Sequence, residues 1–268
     1  MSERLAGRVA LVTGSALGIG RGIARRYANE GAALVLADLD AERGETGAGE
    51  IRGDFGAEVL FARTDVGVRA EIEALVAAGM QRFGHIDILV NNAWGRRPGS
   101  SGFAPVEGVL DADVEHGFRI GAQAALWAMQ AVFPGMRECG WGRIINLCSL
   151  NGVNAHPYSV AYNMAKEALR TLTRTAAREW APHGICCNAI CPGAATEAYR
   201  QFAAAQPENA AELLKLNPMG YMGDPERDIG GVALFLASED ARYLTGNTLF
   251  ADGGSHINGV PWNPTPRC

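Results

Sequence analysis

Short β-branched and aliphatic runs, alternating with stretches of helical periodicity, constrain this chain more than any other feature. The runs fall at 9–13, 33–37, 58–61, 86–90, 143–147, 185–190 and 248–250. Runs without polar alternation suit strands covered on both faces, as in a parallel sheet. Between them lie helical patterns such as 19–30, 70–83, 122–138 and 162–180. Strand and helix alternating in this way predict an α/β doubly wound architecture: a seven-stranded parallel sheet flanked by helices on both faces. No Pro/Ser-rich linker or repeat divides the chain, so a single domain over 1–268 is expected. The least regular stretches are 94–107, 193–224 and the tail 255–268. Ligands bind beyond the carboxyl ends of strands in such sheets. All three stretches are therefore expected substrate-facing segments, with 193–224 as a lid, although the tail reads equally well as a surface loop.

Composition narrows the function classes. With 48% hydrophobic and 20% charged residues, the chain can bury a sizeable core and is not disordered. Its net charge of −5 advertises neither a nucleic acid nor an anionic membrane. There is no apolar run of membrane-spanning length, and Met1 to Arg8 lacks the apolar stretch of a signal peptide. A soluble, cytoplasmic protein is the expectation. The six cysteines form no C-x-x-C pair and the five histidines are scattered. Neither a metal site nor a disulfide is expected.

The first strand runs into Thr13-Gly14-Ser15-Ala16-Leu17-Gly18-Ile19-Gly20 and then a helix. Glycines there permit a tight turn and close approach to a pyrophosphate, which the free N–H groups of the helix then receive. Such a strand–glycine turn–helix reads as the start of a Rossmann-type dinucleotide site, although an ordinary tight turn is the plainer alternative. Asp38 ends the second strand, where its carboxylate can accept hydrogen bonds from a ribose diol and repel a 2′-phosphate. Leu17 and Leu39 supply no compensating positive charge. NAD, rather than NADP, is the cofactor these residues favour.

Tyr162-Asn-Met-Ala-Lys166 puts a phenol and an ammonium on one helical face at i and i+4. The chain has only two lysines, Lys166 and Lys215, beside 22 arginines. A lysine here suggests a task that a guanidinium cannot perform. A nearby cation favours phenolate, which equips Tyr162 as a general acid/base. Ser149, at the end of the fifth strand, offers a hydroxyl that can hold a substrate oxygen.

Together these motifs make the chain resemble the short-chain dehydrogenase/reductase family, in its branch of about 250 residues, from Gly7 to Gly254. The likeness takes in Gly14, Gly18, Ile19 and Gly20, Asp65-Val66, Asn91-Asn92-Ala93, Ser149, Tyr162-x-x-x-Lys166, Pro192-Gly193, Tyr243-Leu-Thr-Gly246 and Asp252-Gly-Gly254. The resemblance implies a catalytic set of Ser149, Tyr162 and Lys166. It further implies a cofactor lined by Gly14, Ser15, Leu17, Gly18, Ile19, Gly20, Asp38 and Leu39. Asp65 and Val66 would meet the adenine, and Asn92 and Ala93 would lie beside the ribose. Tyr162, Lys166, Pro192 and Gly193 would border the nicotinamide end. A homotetramer or homodimer, with the helices around 117–136 and 162–180 pairing between subunits, is also implied.

Three positions depart from the family pattern. Trp94 stands where Asn-Asn-Ala is usually followed by glycine. Gly121 falls where the family carries a fourth catalytic residue, an asparagine at a helix kink. After Pro192-Gly193 the usual threonine is displaced, leaving Thr196 one residue early and Glu197 in its place. The expected function is hydride transfer between NAD(H) and a secondary alcohol or ketone. Trp94, Tyr158, Tyr199 and Phe202 near the expected pocket mouth suggest an apolar, cyclic substrate. The alternative is an NAD-binding regulatory or scaffold protein whose chemistry the Gly121 change has damaged.

Overall fold

The computed structural model describes residues 3–257. The part of the expected tail beyond residue 257 lies outside the described residues. Seven parallel strands form one sheet in the order β3-β2-β1-β4-β5-β6-β7. They are β1 (Val9–Thr13), β2 (Ala33–Asp38), β3 (Val59–Arg63), β4 (Ile88–Asn91), β5 (Gly142–Leu147), β6 (Ile185–Pro192) and β7 (Thr248–Ala251). The expected fold class is the observed one.

Each strand sends alternate residues to opposite cores, which is why the aliphatic runs are continuous. On one face Ala10, Val12, Leu34, Leu36, Ile88 and Val90 meet Ile23 and Tyr27 of α1 (Gly18–Asn29) and Leu234 of a later helix, Gly230–Ala237. On the other, Val9, Leu11, Val35 and Leu89 meet Ile72 and Leu75 of α3 (Arg69–Phe83) and Met129 and Val132 of α5 (Ala124–Cys139). Burying each such side chain contributes on the order of 2 kcal/mol.

Two differences from the sequence reading have physical causes. The fourth strand begins at Ile88 rather than residue 86, because the Asp87 carboxylate accepts the Val9 amide at 2.8 Å and pairs with Arg8. A glycine-rich helix, α2 (Ala41–Phe55), was not among the expected elements. Its glycines weaken helical propensity, but Gly44 lets it lie flat on Phe61, whose ring a Cβ would meet at 2.1 Å.

Strand order reverses between β1 and β4, where Val12 pairs with Val90. The crevice beyond Thr13 and Asn91 is the switch point where such sheets take ligands. The helix reaching it on the far side, α4 (Asp111–Phe118), passes through a π-helical turn at Arg119–Gln123 before α5 begins. A π turn inserts one residue and redirects the axis, and Gly121 sits in it. The position expected to carry a kink thus lies in a π-helical turn.

Candidate active site

The glycine loop is close-packed through its backbone. A Cβ on Gly20 would lie 2.1 Å from the Gly14 carbonyl oxygen, and one on Gly14 would lie 2.8 Å from the Ala93 Cα. Gly14 and Gly18 both adopt positive φ, which glycine tolerates without strain. Ser15 donates its hydroxyl to the Ala37 carbonyl at 3.2 Å, and Ile19 packs against the core. Asn92 donates its side-chain amide to the Thr13 and Gly14 carbonyls at 3.0 and 2.9 Å. Ala93 gives its N–H to the Thr13 hydroxyl. Asn92 thus braces the loop from beneath. The first turn of α1 carries no acidic residue, which leaves its positive end available to a phosphate.

Asp38 accepts the Ala16 amide at 2.9 Å and the Asp40 amide at 3.1 Å, so its carboxylate stands beside the loop. Leu17 and Leu39 are 41% and 58% exposed. Asp65 accepts the Gly67 amide, and Val66 packs onto the second core. Across the crevice Pro192 pairs with Ala251, and a Cβ on Gly193 would lie 3.0 Å from the Asp252 Cα. Glycine cradle, free helix end and exposed apolar side chains fit a dinucleotide.

Ser149 ends the segment after β5, capping a short helix, α6 (Leu150–Val153), and accepting the Asn151 amide at 3.2 Å. Tyr162 and Lys166 lie on one face of α7 (Val160–Trp180). Burial raises the Tyr162 phenol, and its hydrogen bond with Ser149 opposes that shift. Burial outweighs the downward pull expected from Lys166. That lysine donates to the Leu147 carbonyl at 2.8 Å, is 4% exposed, and burial lowers its pKa. The flanking thiols of Cys148 and Cys191 are themselves pushed up to about 11 and about 12 by burial, so both stay neutral.

The first two departures meet in space. The Trp94 indole stands edge-on to the Tyr162 ring, with centroids 4.7 Å apart, and its face lies 5.3 Å from the Lys166 ammonium. That distance suits a cation–π contact. A Cβ on Gly121 would lie 2.8 Å from the indole Cζ3 and 3.0 Å from the Ala165 Cβ. The glycine makes room for the tryptophan. The third departure has a local purpose as well. Thr196 caps helix α8 (Glu197–Ala205) by accepting the Tyr199 amide, and its methyl lies 3.5 Å from where a Gly18 Cβ would project. The lid therefore touches the glycine loop despite the shifted threonine.

Sequence reasoning assigned no role to three buried polar residues beneath the site. Asn91 donates to the Asn146 side chain at 2.8 Å, Asn146 donates to Thr173 at 2.9 Å, and Thr173 donates to the Leu169 carbonyl. This chain fixes β4, β5 and α7 relative to one another, and buried polar groups need such partners. An asparagine between Ile145 and Leu147 in the 143–147 run was the available signal. Tyr158 shows positive φ without being glycine and lines the cavity beside Tyr162 together with Trp94. Tyr199 and Phe202 form a tilted pair on α8, and neither lines that cavity.

A family model described as enoyl-(acyl carrier protein) reductase matches residues 14–256. A 2,5-dichloro-2,5-cyclohexadiene-1,4-diol dehydrogenase of Sphingobium indicum is 36% identical, over 95% of this chain and 98% of that protein. A 12alpha-hydroxysteroid dehydrogenase of a Clostridium species is 36% identical, over 92% of this chain and 96% of its own. The crystal structure of levodione reductase superposes with a TM-score of 0.88 at 34% identity, covering 95% of this chain and all of that one (100%).

Proposed function

Because the chain belongs to the short-chain dehydrogenase/reductase family of oxidoreductases, we propose that it transfers a hydride between NAD(H) and a secondary alcohol or ketone, in the cytoplasm. The carrying observation is that Ser149 meets Tyr162, while Lys166, one turn on, shares a small cavity with Thr13 and Ala93 at the glycine loop. When bound, the nicotinamide supplies or accepts the hydride. In alcohol oxidation, the Tyr162 phenolate takes the hydroxyl proton while Ser149 donates a hydrogen bond that orients the oxygen. Lys166 supplies positive charge behind the phenol and a donor to the nicotinamide ribose. Reduction runs the same proton transfer in reverse, with the neutral phenol as acid.

Preference for NAD rests on Asp38 and, among the described residues, on arginines nearby that already face carboxylates. The arginines around the loop are already matched: Arg21 with Glu50, Arg25 with Asp54 and Glu226, Arg43 with Asp40, and Arg200 with Glu197. A 2′-phosphate would meet the Asp38 carboxylate, and the guanidiniums around it are already drawn to other carboxylates. A cyclic substrate is supported by Trp94 and Tyr158 in the cavity wall and by two relatives named for ring alcohols. Phe118 of α4 and Met164 of α7 stay largely exposed, which accords with helices that pair with a second copy in a homodimer or homotetramer.

The test is a panel of secondary alcohols (aliphatic, aryl, terpenoid, steroid) incubated with NAD or NADP and scored for reduced nicotinamide. Turnover with NAD at a kcat/KM more than about tenfold above that with NADP is expected, since a factor of ten needs only ~1.4 kcal/mol. Equal or better turnover with NADP overturns the cofactor assignment. No oxidation of any alcohol overturns the reaction.

A further inference from the structure

A cavity of about 480 Å³ opens beside Tyr162, between the 94–104 segment, the start of α4 and the start of α7. Its size falls in the range of small-molecule sites. The irregular segment is tied down: Ala104 donates to the Tyr158 carbonyl at 2.9 Å and bridges Ser159. Phe103, Val109, Leu110 and Val160 give the cavity apolar walls.

Its charges do not cancel. Arg97 and Asp113 form an ion pair at 2.7 Å, and the guanidinium holds that carboxyl below its ordinary value. Arg96 also lines the cavity, and among the described residues no carboxylate pairs with it. Its guanidinium lies over the Phe103 ring, 5.0 Å from the centroid. Its stem crosses Gly102, where a Cβ would meet the Arg96 Cδ at 2.9 Å. Glycine at 102, held at a φ of +74°, is what lets the side chain lie there. Stacking occupies the guanidinium face and leaves its edge N–H groups free, the edge that grips a carboxylate in two parallel hydrogen bonds.

We propose that this cavity holds the substrate and that the substrate is a secondary alcohol or ketone on an apolar ring bearing one carboxylate, received by Arg96. The inference rests on the oxidoreductase reading above. One unmatched cation suits one negative charge, and a phosphate dianion would leave an excess charge near Asp113. The alcohol carbon then faces Tyr162 while the carboxylate lies toward the 96–103 segment.

The matched probes are para-(α-hydroxyethyl)benzoate and its carboxamide, which share ring, size and carbinol. The acid is expected to show a kcat/KM at least tenfold above the amide, mainly through KM. Arg96→Gln should reduce that ratio to within about twofold of unity. Thermal-shift titration with benzoate and benzamide supplies a readout without turnover. Benzoate should stabilise the native protein more than benzamide, and that difference should vanish in Arg96→Gln. An acid no better than its amide, or a preference that survives Arg96→Gln, overturns the proposal while panel alcohols remain oxidised. Failure of every alcohol, with no benzoate stabilisation, overturns both.

Discussion

Around the glycine loop, close approaches are made by backbone: Gly14 against Ala93 and Gly20 against the Gly14 carbonyl. Across the crevice the fit is made by side chains, with Trp94 over Lys166 and against Tyr162, and Arg96 over Phe103. The first wall tolerates almost no change, because main chain cannot step aside. The second can be rebuilt by exchanging one large residue for another, provided the space opposite is adjusted. That contrast explains why the glycine loop keeps the family pattern while Trp94 and Gly121 depart from it together.

The contrast breaks first at Gly20. Gly20→Ala forces a methyl group into the Gly14 carbonyl and the Asn92 amide, an overpacking of about 3 kcal/mol. Cofactor affinity, measured by calorimetric titration, should fall at least a hundredfold, with a lower Tm. Unchanged NAD affinity would show that the loop is looser than its packing.

A smaller effect sharpens the other side. Gly121→Asn should cost about tenfold in kcat, since its Cβ meets the indole at 2.8 Å. Trp94→Gly in the same chain should recover most of that loss, because contacting residues couple. Additive losses in the double variant would separate the two positions, and a several-fold gain from Gly121→Asn alone would make the glycine a lesion.

The smallest effect is a pH shift. Ser149 opposes the burial-driven rise of the Tyr162 phenol, so removing its hydroxyl raises that pKa further. Alcohol oxidation needs phenolate, and its kcat/KM climbs with pH through the phenol's titration. In Ser149→Ala the climb should move up by roughly one pH unit, about the value of one hydrogen bond. A limb that stays in place while the rate drops would make Ser149 an orienting group only.

What the sequence made legible follows the same division. The strands were readable to within two residues because burial on both faces demands mainly apolar runs, and the loop was readable because glycine is the only residue that fits Gly14 and Gly20. The α2 helix escaped because its glycines lower helix propensity, while the one that packs on Phe61, Gly44, does so through a contact distant in sequence. Trp94 and Gly121 were each visible as departures, yet nothing in a linear order says that residues so far apart touch. Arg96 looked like any solvated arginine until Phe103 and Gly102 were seen to hold it. The net rise of the Tyr162 phenol was also invisible, since i and i+4 spacing does not reveal how far burial favours the neutral form.

The most direct measurement compares wild type with Tyr162→Phe on two axes: NAD affinity by titration, and formation of reduced nicotinamide from the best alcohol of the panel. The ring and its packing against Trp94 are kept, and only the phenol oxygen is lost. Affinity should remain within about threefold while kcat falls by roughly a thousandfold or more, the scale of a lost general acid/base. A variant that binds NAD and still oxidises the alcohol at near wild-type rate would contradict the assignment of Tyr162 and the mechanism built on it.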